Sequence, residues 1–294
     1  MVELEYPNIF SKADLKSIKS QKTFIKLNRA ILVLLIISTI TSSILIEEDV
    51  ITFIASVLLV FSLIFTILIM VFKPEKSWYD GRAIAESTKS LTWKFITKTK
   101  PFGYQLKNNE AEEKLIENLK QIIGQKRDFF KLIGEEFSEG EQITLSMREL
   151  RNLSLDERIK NYSQNRLEVQ KKWYFNKSKE NRRNKNLSFA TLITFQIFAI
   201  GSLALDYLNI LQFTLTPLMA CLASSVIAWQ QLKRYQELTE SYGITATELN
   251  LIKSKVKHIE DESSFERFVD DAETAISREH TLWLARRDST ELFR

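Results

Sequence analysis

The feature that most constrains this chain is the segregation of its charge. Ala30 to Ile46, Val50 to Phe72, Leu187 to Leu205 and Tyr207 to Leu232 hold no charged side chain, although 27% of the 294 residues are charged. These runs of about 17, 23, 19 and 26 residues, rising 1.5 Å per residue as helix, are long enough to cross roughly 30 Å of hydrocarbon. A soluble protein can bury one such helix, but four in two close pairs argue for a membrane. We expect spans over about 30–46, 50–72, 187–205 and 208–230.

Basic residues set the orientation of such spans. Lys12, Lys16, Lys19, Lys22, Lys26 and Arg29 precede the first run and Lys73 and Lys76 follow the second, while Glu47, Glu48 and Asp49 separate the two. The second pair repeats the plan: Lys171 through Lys185 precede it, Lys233 and Arg234 follow it, and its own loop, near Asp206, carries no basic residue. Both loops should face outward. Both termini and the stretch between the hairpins should then lie in the cytoplasm, against an anionic inner leaflet that attracts juxtamembrane lysines. Nucleic-acid binding is the weaker reading of the same basic clusters.

The repeated plan divides the chain into domains at 1–137 and 154–294, with 138–153 as a linker that contains Gly140. Ser154 to Glu157 reads as a capping box opening a helix, and Ser263 to Glu266 as a second one. From Leu155, the positions Ile159, Tyr162, Val169 and Trp173 form an apolar seam that Arg166 interrupts, continuing into the third run as one long helix. The fourth run likewise extends into an amphipathic helix that carries Tyr242. No period-two alternation competes, so the expected fold is all-α, with two transmembrane hairpins and long cytoplasmic helical extensions.

Little points to chemistry. Gly134 and Gly140 are the nearest pair of glycines, too far apart for a phosphate-cradling loop. The two histidines, His258 and His280, show no metal-ligand spacing, and the single cysteine, Cys221, has no base in its sequence neighbourhood. We expect no enzyme, no cofactor and no metal. Within the runs there is no ionisable residue, which argues against a proton relay. The polar side chains at membrane depth either bind helices together or line a pore; Ser38 and Ser42, one turn apart, and Gln196, near mid-span, are the pore-lining candidates. Pro217, inside the fourth run, is a candidate hinge where a kink is expected.

In several motifs the chain resembles the SLATT family of bacterial two-transmembrane domains, found beside nucleotide-second-messenger synthases and sensor domains. The first half carries the resemblance in Tyr6-Pro7, Phe10 and above all Trp78-Tyr79-Asp80-Gly81-Arg82-Ala83 running into Ala85-Glu86-Ser87. The second carries it in Trp173-Tyr174, Arg234-Tyr235 and Tyr242-Gly243, and in a C-terminal segment with Arg278, Glu279, His280 and Trp283. Ser178 after Lys177, where alanine is expected, is a departure. The resemblance implies a tandem double-domain membrane effector in bacterial conflict or antiviral defence, acting in the inner membrane. It also implies a homo-oligomer that forms a pore or ion channel and a cytoplasmic sensor or nucleotide-second-messenger partner. It assigns no role to Trp78, Tyr79, Arg82, Glu86, Trp173, Tyr174, Tyr242 or the C-terminal cluster. The competing reading is a non-conducting membrane scaffold that binds a partner through its helical stalks.

Overall fold

A computed structural model describes residues 3–43, 49–133, 139–208, 210 and 215–291, with side chains described for these except 132–133 and those beyond 277. The span ends at 44–46 and the outer loop at Glu47 and Glu48 lie outside the described residues. The protein is 86% helix, and among the described residues there is no strand. The helices are α1 (Asn8–Ser43), α2 (Asp49–Phe72), α3 (Pro74–Ile96), α4 (Asn108–Gln125), α5 (Arg127–Ile133), α6 (Leu145–Arg151), α7 (Leu155–Tyr162), α8 (Glu168–Tyr207), α9 (Thr216–Lys233), α10 (Tyr235–Ser254) and α11 (Glu262–Glu291). A π-helical turn, Ser163–Leu167, joins α7 to α8.

Local signals explain several helix ends. Ser154 Oγ accepts from Glu157 N–H at 3.4 Å and the Glu157 carboxylate accepts from Ser154 N–H at 3.0 Å, the expected capping box. At α11 the cap differs from the sequence expectation. Asp261 Oδ1 accepts from Ser264 N–H at 2.7 Å, so the helix starts earlier than a Ser263 cap would place it. Both second helices of the apolar pairs end alike, on one basic residue in the left-handed region: Lys73 (φ 43) before Pro74, and Arg234 (φ 51), whose N–H donates to Gln230 C=O at 2.8 Å. Within 138–153, read from sequence as linker, lies α6, capped by Thr144.

The chain forms two compact units, each drawing on both halves of the sequence. One, here the hairpin unit, comprises Gln21–Pro74 and Ser178–Glu240. Three helices, containing α1, α2 and the α7–α8 stretch, are long and apolar enough to cross a membrane, and only 6–11% of their most apolar segments is buried inside the protein. Phe53, Phe72, Ile197, Phe198 and Ile200 are all more than 60% exposed. Apolar side chains turned outward on this scale require a nonaqueous surround. The fourth run is helical as α9, only 18 residues long, with Gln230, Gln231 and Lys233 in its last turn lowering its hydropathy.

The other unit, here the helical body, comprises Met1–Ser20, Glu75–Lys177 and Ser241–Arg294. Its core is aromatic: Trp93 packs edge-on to Tyr162 at 5.7 Å, Phe95 to Phe102 at 5.7 Å, and Tyr162 to Phe265 and Phe268 at 6.3 and 6.0 Å. Leu115, Leu119 and Met147 are buried with it.

Candidate functional site

The membrane-depth candidates separate into different roles. Ser38 is buried and its hydroxyl donates to Ala55 C=O at 3.2 Å, tying α1 to α2. Ser42 donates to Ser38 C=O at 2.9 Å, one turn back along its own helix. Thr39 reaches Cys221 Sγ at 3.4 Å, and Ser202 and Thr216 share a hydrogen bond of 2.8 Å between α8 and α9. Gln196 is different: it is exposed on the middle of an apolar helix and makes no hydrogen bond within the described residues. Pro217 sits in the first turn of α9, after non-helical Leu215, where a missing N–H costs nothing. The kink expected inside the fourth run is therefore a helix start among the described residues. At the basic end of this unit, Trp229 lies under both Arg29 and Lys233, at 5.4 and 5.3 Å from its ring centre.

The signature positions belong to the helical body. Trp78 is buried, stacks on Tyr79 at 4.7 Å, and accepts from Ser17 Oγ at its carbonyl at 3.0 Å. Asp80 is salt-bridged to Lys126 at 2.7 Å. Gly81 is required by close approach, since a Cβ there would stand 2.9 Å from Ala13 C=O and 3.1 Å from the Phe129 ring. Arg82 and Glu86 surround Asp14, whose carboxyl is raised from its ordinary range by burial and then by Glu86. Trp173, Tyr174 and Tyr242 form an aromatic triangle with ring centres 5.0, 5.4 and 5.6 Å apart. Arg278, Glu279, His280 and Trp283 are on α11, their side chains outside those described.

Sequence reasoning missed the centre of the body. Arg166, which interrupts the predicted seam, is 1% exposed and gives two hydrogen bonds to Glu273, also 1% exposed, at 2.9 and 2.8 Å. Tyr162 OH donates to the same carboxylate at 2.9 Å. Burial works against the Arg166 charge, but Glu273 more than offsets it and the guanidinium is held above its ordinary range. Burial and the Glu273 carboxylate push the Tyr162 hydroxyl up as well. The π turn explains the misplaced seam. One extra residue in the helix moves the buried stripe on, so Tyr174 is 1% exposed while Trp173 is 36% and Val169 52% exposed. The available signal was Arg166 itself, a charge at a core position.

These interactions tie the elements of the body together. Among the described residues no three His, Cys, Asp or Glu side chains are grouped to hold a metal.

No curated protein and no solved structure matches the chain. Residues 7–159, just over half of it, match the family described as SMODS and SLOG-associating 2TM effector domain 3. Residues 162–283 match SMODS and SLOG-associating 2TM effector domain 1. With its outward apolar helices and two matched segments in tandem, the chain belongs to the SLATT family of two-transmembrane effector domains as a double-domain member.

Proposed function

We propose that the protein is a membrane effector that assembles from several copies into a pore or channel in the bacterial inner membrane, as part of a defence system. SLATT effector domains are associated with such systems. The proposed topology has four spans, with both termini and the helical extensions in the cytoplasm. The pairing of Arg29 and Lys233 on one tryptophan supports this, because the start of the first span and the end of the fourth then share one basic, aromatic interface.

The observation that carries the assembly is Gln196. A primary amide facing hydrocarbon without a partner costs roughly 2–7 kcal/mol. Neighbouring Thr191 and Thr194 satisfy their hydroxyls on Leu187 and Ala190 carbonyls, both at 2.9 Å, but glutamine has no equivalent local solution here. A second copy, or water in a lumen between copies, supplies what the single chain lacks. One chain of four spans cannot itself enclose a wide aqueous path, so conduction depends on this assembly.

The saturation of Ser38 and Ser42 within α1 and α2 favours a second reading for the first hairpin: a non-conducting scaffold whose helical body binds a cytoplasmic partner. Current across a planar bilayer distinguishes the two. The expected result is a closed homo-oligomer in detergent that conducts, and a Gln196→Leu protein that loses most of its current or its assembly. A strictly monomeric particle, or silence from a well-folded oligomer with and without cyclic oligonucleotides, removes the pore and leaves the scaffold.

A further inference from the structure

Trp229, the one tryptophan of the hairpin unit, carries two cations. Arg29 Cζ stands 5.4 Å and Lys233 Nζ 5.3 Å from its ring centre, so like charges from α1 and α9 share one aromatic surface. Among the described residues neither side chain makes a hydrogen bond or an ion pair. Glu180 pulls on Lys233, but burial and then Arg29 act on it more strongly, and its pKa is lowered. Arg29 is exposed and Lys233 half-buried, so both charges present surface to a ligand.

The surface beyond these charges is apolar. Arg29 is followed along one side of α1 by Val33, Ile37 and Ile40 at helical spacing, all exposed. From Arg29 to Ile40 this stripe runs roughly 16 Å, about the depth of one leaflet where the hydrocarbon is about 30 Å thick. Beside it lies α9: Thr39 Oγ1 reaches Cys221 Sγ at 3.4 Å, and the Arg29 contact with Trp229 closes the same seam at its basic end. Charge at the head, an amphipathic ring at the boundary and an apolar track one leaflet long have the form of a phospholipid. A soluble phosphate ester would leave the track uncovered.

We propose that Arg29, Trp229 and Lys233 form a discrete site for one anionic phospholipid of the inner leaflet, its phosphodiester between the two cations and an acyl chain along Val33, Ile37 and Ile40. An anion there offsets the repulsion between like charges, which a zwitterionic headgroup, bringing its own cation, does less well. The site rests on the four-span topology proposed above and is independent of conduction. Unlike the general attraction of juxtamembrane lysines to an anionic leaflet, it needs these two cations and not Lys22 or Lys26, which are also exposed on α1.

The test is quenching of tryptophan emission by phospholipids brominated in the acyl chain, in phosphatidylcholine nanodiscs that hold one full-length chain. The Trp229 contribution is the difference between wild type and Trp229→Phe. Brominated phosphatidylglycerol should quench it about fivefold or more effectively than the same fraction of brominated phosphatidylcholine. Arg29→Gln with Lys233→Gln should abolish the preference and keep the unfolding midpoint, because neither charge is paired within the chain. Lys22→Gln with Lys26→Gln should retain the preference. Equal quenching by the two lipids in wild type, or a preference that survives the loss of Arg29 and Lys233, overturns the site. So does a preference lost with Lys22 and Lys26, which would make the attraction diffuse. Quenching that vanishes once several copies share a disc gives the face to a second copy and overturns the site in the assembly. Quenching by neither lipid in single-copy discs overturns the site and the four-span topology together, whereas silence in the planar bilayer touches neither.

Discussion

Arg166 and Glu273 come from opposite ends of the second family segment, and each is buried with the other as its counter-charge. Removing one partner of such a pair strands the other in a low-dielectric core, at a cost of about 3–5 kcal/mol. Glu273→Gln keeps the shape and one acceptor, yet leaves the guanidinium without its charge. It should lower the denaturation midpoint of the detergent-solubilised protein by an amount in that range. Replacing both, Arg166→Met with Glu273→Leu, should recover most of the loss, because nothing charged then remains inside. An equal loss in the single and double variants would mean that the Tyr162 hydroxyl, whose acceptor Glu273→Leu removes, costs as much when stranded as the charge does.

Among the elements, the π turn at Ser163–Leu167 accounts for most of the distance between sequence and structure. The three helices apolar enough to cross a membrane are legible from charge segregation because lipid admits no charge along a whole helix. The body is not, because a paired arginine in its core has the same letter as one on a solvated face, and because a register shift of one residue is invisible to a count of threes and fours. Thus Tyr162 is buried as the seam requires, whereas Val169 and Trp173 give way to Leu167 and Tyr174. Arg151, 1% exposed in the stretch read as linker, was equally hidden, since it donates to Phe95 C=O, Phe102 C=O and Asn108 Oδ1 from outside that stretch. The turn makes a direct prediction. Deleting exposed Gln164 removes the extra residue and leaves the phase of α8 nearly unchanged. Deleting exposed Lys179 rotates everything beyond it by about 100°. Size-exclusion profiles should show a folded peak for most of the first variant and almost none of the second.

At the scale of the molecule, the family segments and the compact units cut the chain in different directions. The segments divide it near residue 160, whereas each unit takes pieces from both sides of that point. Trp93 on the first segment packs edge-on to Tyr162 on the second, Arg158 on the first holds Glu262 on the second, and Lys94 reaches Asp270. Fragments 1–160 and 161–294 made separately should be degraded or insoluble, and made together they should copurify through the body. A stable, folded fragment from either alone would show that the shared core is dispensable.

The face of Trp93 that Tyr162 covers has a further consequence during synthesis. A ribosome that stalls after the first segment releases a chain whose aromatic core surface has no cover, since Tyr162, Phe265 and Phe268 have not yet been made. Such a product is a ready substrate for quality-control proteases. Under the function proposed here, a cell carrying this gene is thereby shielded from half-made copies of a protein whose complete form acts on the cell's own membrane.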